Sequence, residues 1–138
     1  MCAETIERAD VRRMSAASYV ELGAVIDRAG DAVASRRVDE LLSTAGIAIE
    51  AVTDRHALIA RQAFRDFGKG SGHPARLNFG DCFSYALAEA TGESLLFVGN
   101  DFVHTGVASA QRVGEPARQR GGATSARTGR EQAHRDRR

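Results

Sequence analysis

The run NFGDCFSYAL (residues 78–87), followed at close range by LLFVGNDF (residues 95–102), decides how this chain folds. In the first, Phe83, Ala86, Leu87 and Ala90 recur at helical spacing, which predicts a helix over about Gly80–Thr91. Asn78 stands just ahead of it, in position to cap it. In the second, Leu95–Val98 is an unbroken apolar run, the pattern of a strand buried on both faces in a parallel sheet. Each segment carries a carboxylate, Asp81 or Asp101, at a turn between predicted elements. A third carboxylate, Glu21, lies in MSAASYVEL (residues 14–22) near the start of another helical pattern.

Outward from these segments, helices and strands alternate. Glu4–Asp10 reads as a short helical stretch and Val11–Met14 as a short strand. Ser15 is placed as the N-cap of a helix over about Ala16–Ala29, with Tyr19, Leu22 and Ile26 on one stripe. Gly30 breaks that helix. Asp31 starts the next, in which Val33, Val38, Leu41, Leu42 and Ala45 share helical spacing, and Gly46 ends it. Ile47–Val52, rich in β-branched residues, predicts a second strand. Thr53 or Asp54 caps a further helix with Ala57, Ala60, Phe64 and Phe67 as its apolar face. The stretch from Gly68 to Pro74 reads as a long loop. This alternation predicts an α/β layer fold with a parallel sheet.

At 138 residues the chain holds one domain. Its two cysteines, Cys2 and Cys82, have neither zinc-type spacing nor a disulfide framework, which points to a reducing, cytoplasmic setting. The N-terminus lacks the apolar stretch of a secretory signal, and no window reaches the roughly 20 apolar residues of a membrane span. The net charge of +1 conceals a division. Residues 1–107 carry eleven basic against fifteen acidic side chains, whereas residues 108–138 carry eight arginines against three acids. The second segment contains no Leu, Ile, Met, Phe, Tyr or Trp. It is expected to be a disordered tail, because it has too little apolar surface to offset the entropy of ordering. A basic tail of this kind also suits non-specific nucleic-acid binding.

Sites in open parallel sheets form beyond the carboxyl ends of the strands. Glu21 follows the first strand candidate, Asp101 follows Leu95–Val98 across Gly99-Asn100, and Asp81 opens a helix after a loop. Gly80 is expected to allow a tight turn there. The three carboxylates are therefore expected to converge at one edge of the sheet. Clustered like charges are costly unless a cation compensates them or one takes up a proton. An all-oxygen set without Cys or His selects Mg²⁺ or Mn²⁺. Such an ion suits phosphodiester hydrolysis by an activated water.

In their order and content, MSAASYVEL, GKGSGHPARLNFGDC (residues 68–82), NFGDCFSYAL and LLFVGNDF resemble the VapC group of toxin ribonucleases within the PIN-domain family. The resemblance covers roughly residues 4–107. It implies a PIN-like three-layer fold, a short parallel sheet flanked by helices, and a Mg²⁺-dependent endoribonuclease acting on single-stranded RNA or tRNA as the toxin of a type II toxin–antitoxin pair. A VapB-type antitoxin is the implied partner; a homodimer stays open. By motif, Glu21, Asp81 and Asp101 match the second, third and fourth acidic positions of the family, as metal ligands and catalytic residues. Relatives open with an apolar strand that ends in the first aspartate, and residues 1–13 show no counterpart. The resemblance therefore implies a domain incomplete at its N-terminus, whose neighbouring strands either pair directly or leave a gap. It also leaves a second function open, a catalytically impaired remnant that binds partners only.

Each residue has a plainer reading. Asp81 alone is a first-turn acid favoured by the helix dipole. Glu21 alone is a solvated acid paired with Arg28 or Arg13, and Asn100-Asp101 alone is a turn. Asn78 reads as a cap before it reads as a substrate contact, and His73 as a loop residue. Lys69, Arg76 and Arg61 read first as surface basic residues, and Tyr85 and Phe83 as core. The alternating Gly68, Gly70 and Gly72 lack the strand–loop–helix context of a phosphate loop.

Overall fold

Three of the helices begin where the sequence supplies a capping oxygen. In the computed structural model, which describes residues 2–111, the elements in chain order are α1 (Cys2–Arg8), β1 (Arg13–Ser15), α2 (Ala16–Asp27), α3 (Ala32–Thr44), β2 (Ala48–Glu50), α4 (Asp54–Phe67) and α5 (Phe79–Thr91). Asp31 accepts from the Val33 and Ala34 amides at the head of α3. Thr53 and His56 form a capping box on α4, and Asn78 and Asp81 form another on α5. Each box satisfies two amide donors that a helix start leaves orphaned. Ser15 does sit at the N-cap of α2, but its side chain makes no capping hydrogen bond. The tail expected to be disordered lies, from residue 112 onward, outside the described residues.

β1 and β2 form a parallel pair with Arg13 opposite Ala48, Met14 opposite Ile49 and Ser15 opposite Glu50. Arg13 reinforces it from outside, holding Glu50 at 2.6 Å and Glu93 at 3.2 Å. Arg13 is thus committed to these two acids rather than to Glu21. Arg12 closes the C-terminal end of α1, donating to the carbonyls of Ile6 and Glu7, and also to that of Ala45. Those carbonyls have no partner within the helix itself.

The core lies between α4 and α5, the main packing contact of the fold. Ala60 and Ala63 on α4 meet Cys82 and Ala86 on α5, with Ala75, Leu77 and Phe102 closing the cluster. The small side chains let the two helix backbones approach closely. Phe67, Phe83 and Tyr85 pack around this cluster, in keeping with their reading as core. The apolar face of α4 is rotated from the expected one: Ala57 and Phe64 are exposed, while Ala63 is buried. On α3 only Leu42 is buried; Val33 and Leu41 face outward. Both helices carry more apolar positions than the partners beside them cover, so spacing picked Ala60, Phe67 and Leu42 rightly but could not exclude the exposed members.

Leu77 is fully buried and is held by a backbone bridge, its amide donating to Phe67 O at 2.9 Å and its carbonyl accepting from Lys69 N at 3.0 Å. Leu77→Ala is expected to cost about 2–5 kcal/mol through lost burial and the cavity left behind. Urea unfolding should show a lower midpoint with an unchanged slope; a midpoint equal to that of the parent would mean that Leu77 is not a core residue.

The expected strand over Leu95–Val98 is a correction. Only Leu95 pairs, in a single parallel bridge to Ser109, and Val98 is 81% exposed. Hydrophobicity makes such a run ready for a sheet, but a strand exists only where a neighbouring backbone takes up its hydrogen bonds. Among the described residues, β1 and this run do not pair with each other. An apolar cleft of about 590 Å³ lies along both of them.

Candidate active site

The site gathers at the N-terminal end of α5. The capping box fixes Asp81: Asn78 Oδ1 accepts from the Asp81 amide at 2.7 Å, and Asp81 Oδ2 accepts from the Asn78 amide at 2.8 Å. One carboxylate oxygen is thereby committed to the helix start, and Oδ1 makes no hydrogen bond among the described residues. Asn78 is a cap, as its position suggested. The half-buried Asp81 carboxyl is pushed above the usual carboxylate range by burial, opposed by the Asn78 hydrogen bond, and pushed up further by the charge of Asp101. Lys69 pulls it back down. Lys69, read from sequence as a surface base, therefore stands close enough to act on the site.

Glu21 reaches the same place from α2. Ser18 and Glu21, three residues apart, lie on one face of that helix. The Ser18 hydroxyl donates to Gly80 O at 3.3 Å and lies 2.9 Å from Ser84 Oγ. One turn further on, the Glu21 carboxylate lies so close over Gly80 that a Cβ built there would overlap its oxygens. Gly80 is buried within α5. Its role is to leave space for Glu21, not to make the tight turn expected of it. Ser18 and Ser84 were missed in the sequence; two small polar residues on facing helices gave no signal until the helices were seen to pack.

Asp101 comes from the turn after the apolar run. Phe102 is buried and packs on Phe97, with ring centroids 5.2 Å apart. Thr105 caps the turn by donating to Phe102 O at 2.8 Å. This anchor holds the exposed Asp101 near Asp81. The structure thus brings Glu21 to Gly80, the chain neighbour of Asp81, and Asp101 within electrostatic reach of Asp81. Among the described residues, no group of three or more His, Cys, Asp or Glu side chains is set up as a ready-made metal cage. In donor chemistry the three do fit a hard cation. They offer oxygen only, and Asp81 is raised first by burial and then by the charge of Asp101, the second of which a cation would relieve.

The neighbours of the site are fixed by packing. His73 stays in the loop, its Nδ1 accepting from the Ala75 amide at 3.2 Å, and it meets Phe67 edge-on at 4.9 Å. Cys82 follows Asp81 but is buried in the core, and burial pushes its thiol up to about 11. Since the thiolate is the reactive form, iodoacetamide at pH 8 is expected to modify the half-buried Cys2 first. Cys82 should react only on unfolding; equal native rates would contradict its burial.

A parallel sheet flanked by helices, with Asp81 at the head of α5 and Asp101 within electrostatic reach of it, defines the class of fold. The PIN-domain family model matches residues 2–108, and the chain belongs to the PIN-domain family. Within that family its similarity is to VapC-type proteins. It is 59% identical to Ribonuclease VapC28 of Mycobacterium tuberculosis over 105 residues, spanning 76% of this chain and 79% of that protein. It is 56% identical to Ribonuclease VapC42 of the same species over 104 residues, 75% of this chain and 79% of the relative. A third, Ribonuclease VapC30, is 44% identical over 104 residues. Among the described residues no helix is long and apolar enough to cross a membrane.

Proposed function

We propose that the chain is a metal-dependent endoribonuclease of the VapC type, the toxin of a VapBC pair. Glu21, Asp81 and Asp101 serve as its catalytic carboxylates, and a VapB-type antitoxin is its partner. The observation that carries this reading is the placement of the Glu21 carboxylate over Gly80, the chain neighbour of an Asp81 raised by burial and by the charge of Asp101. The names of the relatives, ribonucleases in each case, support it.

Mg²⁺, or Mn²⁺ in its place, would be held by Asp81, Asp101 and Glu21; when bound it supplies an activated water and neutralises charge on the phosphoryl oxygens. The protein's own residues do the rest. Asn78 orients Asp81 by holding Oδ2, leaving Oδ1 for the site. The Ser18 contacts hold α2 against α5 and so set the position of Glu21. Lys69, whose charge reaches Asp81, offers a cation to an incoming phosphate.

The test is cleavage of single-stranded RNA and tRNA with Mg²⁺, with Mn²⁺ and with EDTA. Cleavage restored by either metal and silenced by EDTA is expected; cleavage that persists in EDTA would sink metal dependence. The second reading, a partner-binding form without cleavage, is favoured by the open cleft beside β1, which leaves the sheet next to the site without a continuous ladder. Antitoxin binding with no cleavage under any metal would select it.

A further inference from the structure

We propose that Phe79 is a stacking platform for a nucleobase of the single-stranded RNA whose backbone reaches Asp81, and so a substrate-binding residue of this site. The inference rests on the ribonuclease reading and deepens it by naming a contact to a base.

Among the described residues Phe79 is the most exposed Phe or Tyr side chain, at 68%. A ring left in water gains little from folding. Burial therefore does not account for a phenylalanine at this position.

Its place is fixed all the same. Phe79 is the first residue of α5 and lies inside the capping box, between Asn78 and Asp81. The two hydrogen bonds of the box, at 2.7 and 2.8 Å, close the turn around it. One helical turn further on, Phe83 meets it edge-to-face, with ring centroids 5.0 Å apart and planes at 69°. Phe83 is itself packed against the core. The Phe79 ring is thus held from two sides, through its backbone and through Phe83, yet open to solvent. Its freedom is reduced before any ligand arrives, which favours binding.

The location suits a nucleic acid strand. Two residues apart, the Cα atoms of Phe79 and Asp81 are separated by at most about 7 Å. Lys69, whose charge reaches Asp81, offers a cation for the phosphate. A nucleobase hangs one sugar away from its phosphate, so a strand held by its backbone at Asp81 and Lys69 brings an adjoining base to the ring. Unpaired bases stack on aromatic side chains whatever their sequence. A protein partner suits the place less well. The other residues of this turn, Asn78, Gly80 and Asp81, add no large apolar side chain, whereas a stable protein interface buries about 800 Å² on each side. One aromatic ring matches one base.

The test uses the full 138-residue chain in EDTA with a fluorescein-labelled single-stranded RNA of about ten nucleotides. Phe79→Ala is expected to keep the parental melting curve, because the exposed ring contributes little burial, and to bind RNA about 10–100-fold more weakly. Phe79→Leu, apolar but without a π-face, should bind as weakly as Phe79→Ala, and Phe79→Trp should bind at least as well as the parent. The chain has no tryptophan of its own, so emission from Phe79→Trp reports on this position alone. RNA should quench it, and an abasic strand of the same length should not. If Phe79→Ala unfolds, the quenching in Phe79→Trp still decides. Parental binding by Phe79→Leu would reveal an apolar contact of the kind a protein makes and would overturn the proposal. So would unquenched emission from Phe79→Trp at saturating RNA, or no RNA binding by the parent. Cleavage by the parent on adding Mg²⁺, with that emission unquenched, would remove the stack alone; quenching without cleavage would support the stack and remove the ribonuclease reading alone.

Discussion

Asp81→Asn is expected to remove metal-dependent RNA cleavage while leaving the fold intact. Losing even a supporting hydrogen-bond partner of a metal ligand typically costs about 10–100-fold in affinity or activity, so loss of a ligand itself should cost at least about 100-fold. The asparagine keeps an oxygen to accept from the Asn78 amide, and the capping box survives in the helix start. Stability should move in the opposite direction to activity. Burial and Asp101 raise the folded carboxyl above its ordinary 3.8, so the folded state holds the proton more tightly than the unfolded state. The stability this provides is fully present below pH 3.8 and is lost as pH rises through the raised folded value. At pH 7 the ionised Asp81 is therefore a net burden, and removing its charge should raise the melting temperature, by about 2–4 °C at most. The gain should vanish in acid. Cleavage at the parental rate would exclude Asp81 from the site, and a lower melting temperature at pH 7 would contradict the account of its environment.

Gly80→Ala should separate the site from the fold more sharply. A methyl group there overlaps the Glu21 carboxylate, the far end of a flexible side chain that is free to swing aside. Backbone stability should hold or improve, because alanine is preferred over glycine inside a helix by roughly 1 kcal/mol. Glu21, however, is displaced from its place over Gly80. A misplacement of about 1 Å at a reacting centre can cost on the order of 100-fold, and a loss of that size in RNA cleavage is expected. Mn²⁺ affinity measured by calorimetry should fall alongside it, a readout that does not depend on turnover. If Gly80→Ala binds Mn²⁺ and cleaves as the parent does, Glu21 has no part in the site.

What could be read from the residues was local. Asp31, Thr53 and Asn78 announced their helices because a capping oxygen acts within three residues of itself, and the observed starts agree. The order of helices and strands was legible for the same reason, as was the family, whose marks are contiguous runs such as NFGDCFSYAL. Partners distant in sequence were not legible. Spacing marked Ala57 and Phe64 as inward on α4, yet the face that α5 covers is centred on Ala60 and Ala63. The run Leu95–Val98 had the composition of a strand, but pairing requires a second backbone, and only Leu95 has one.

The candidate site divides in the same way. The sequence by itself determined that Asp81 and Asp101 stand at element boundaries, that Glu21 lies on the helix after the first strand, and that oxygen-only chemistry was on offer. Only the tertiary structure decided that Ser18 ties α2 to α5, that the missing side chain of Gly80 admits Glu21, and that Lys69 bears on Asp81. Each of these depends on two segments meeting across a packed interface. Local propensity is a property of a few neighbouring residues, whereas the distance between Glu21 and Gly80 belongs to the whole packed fold.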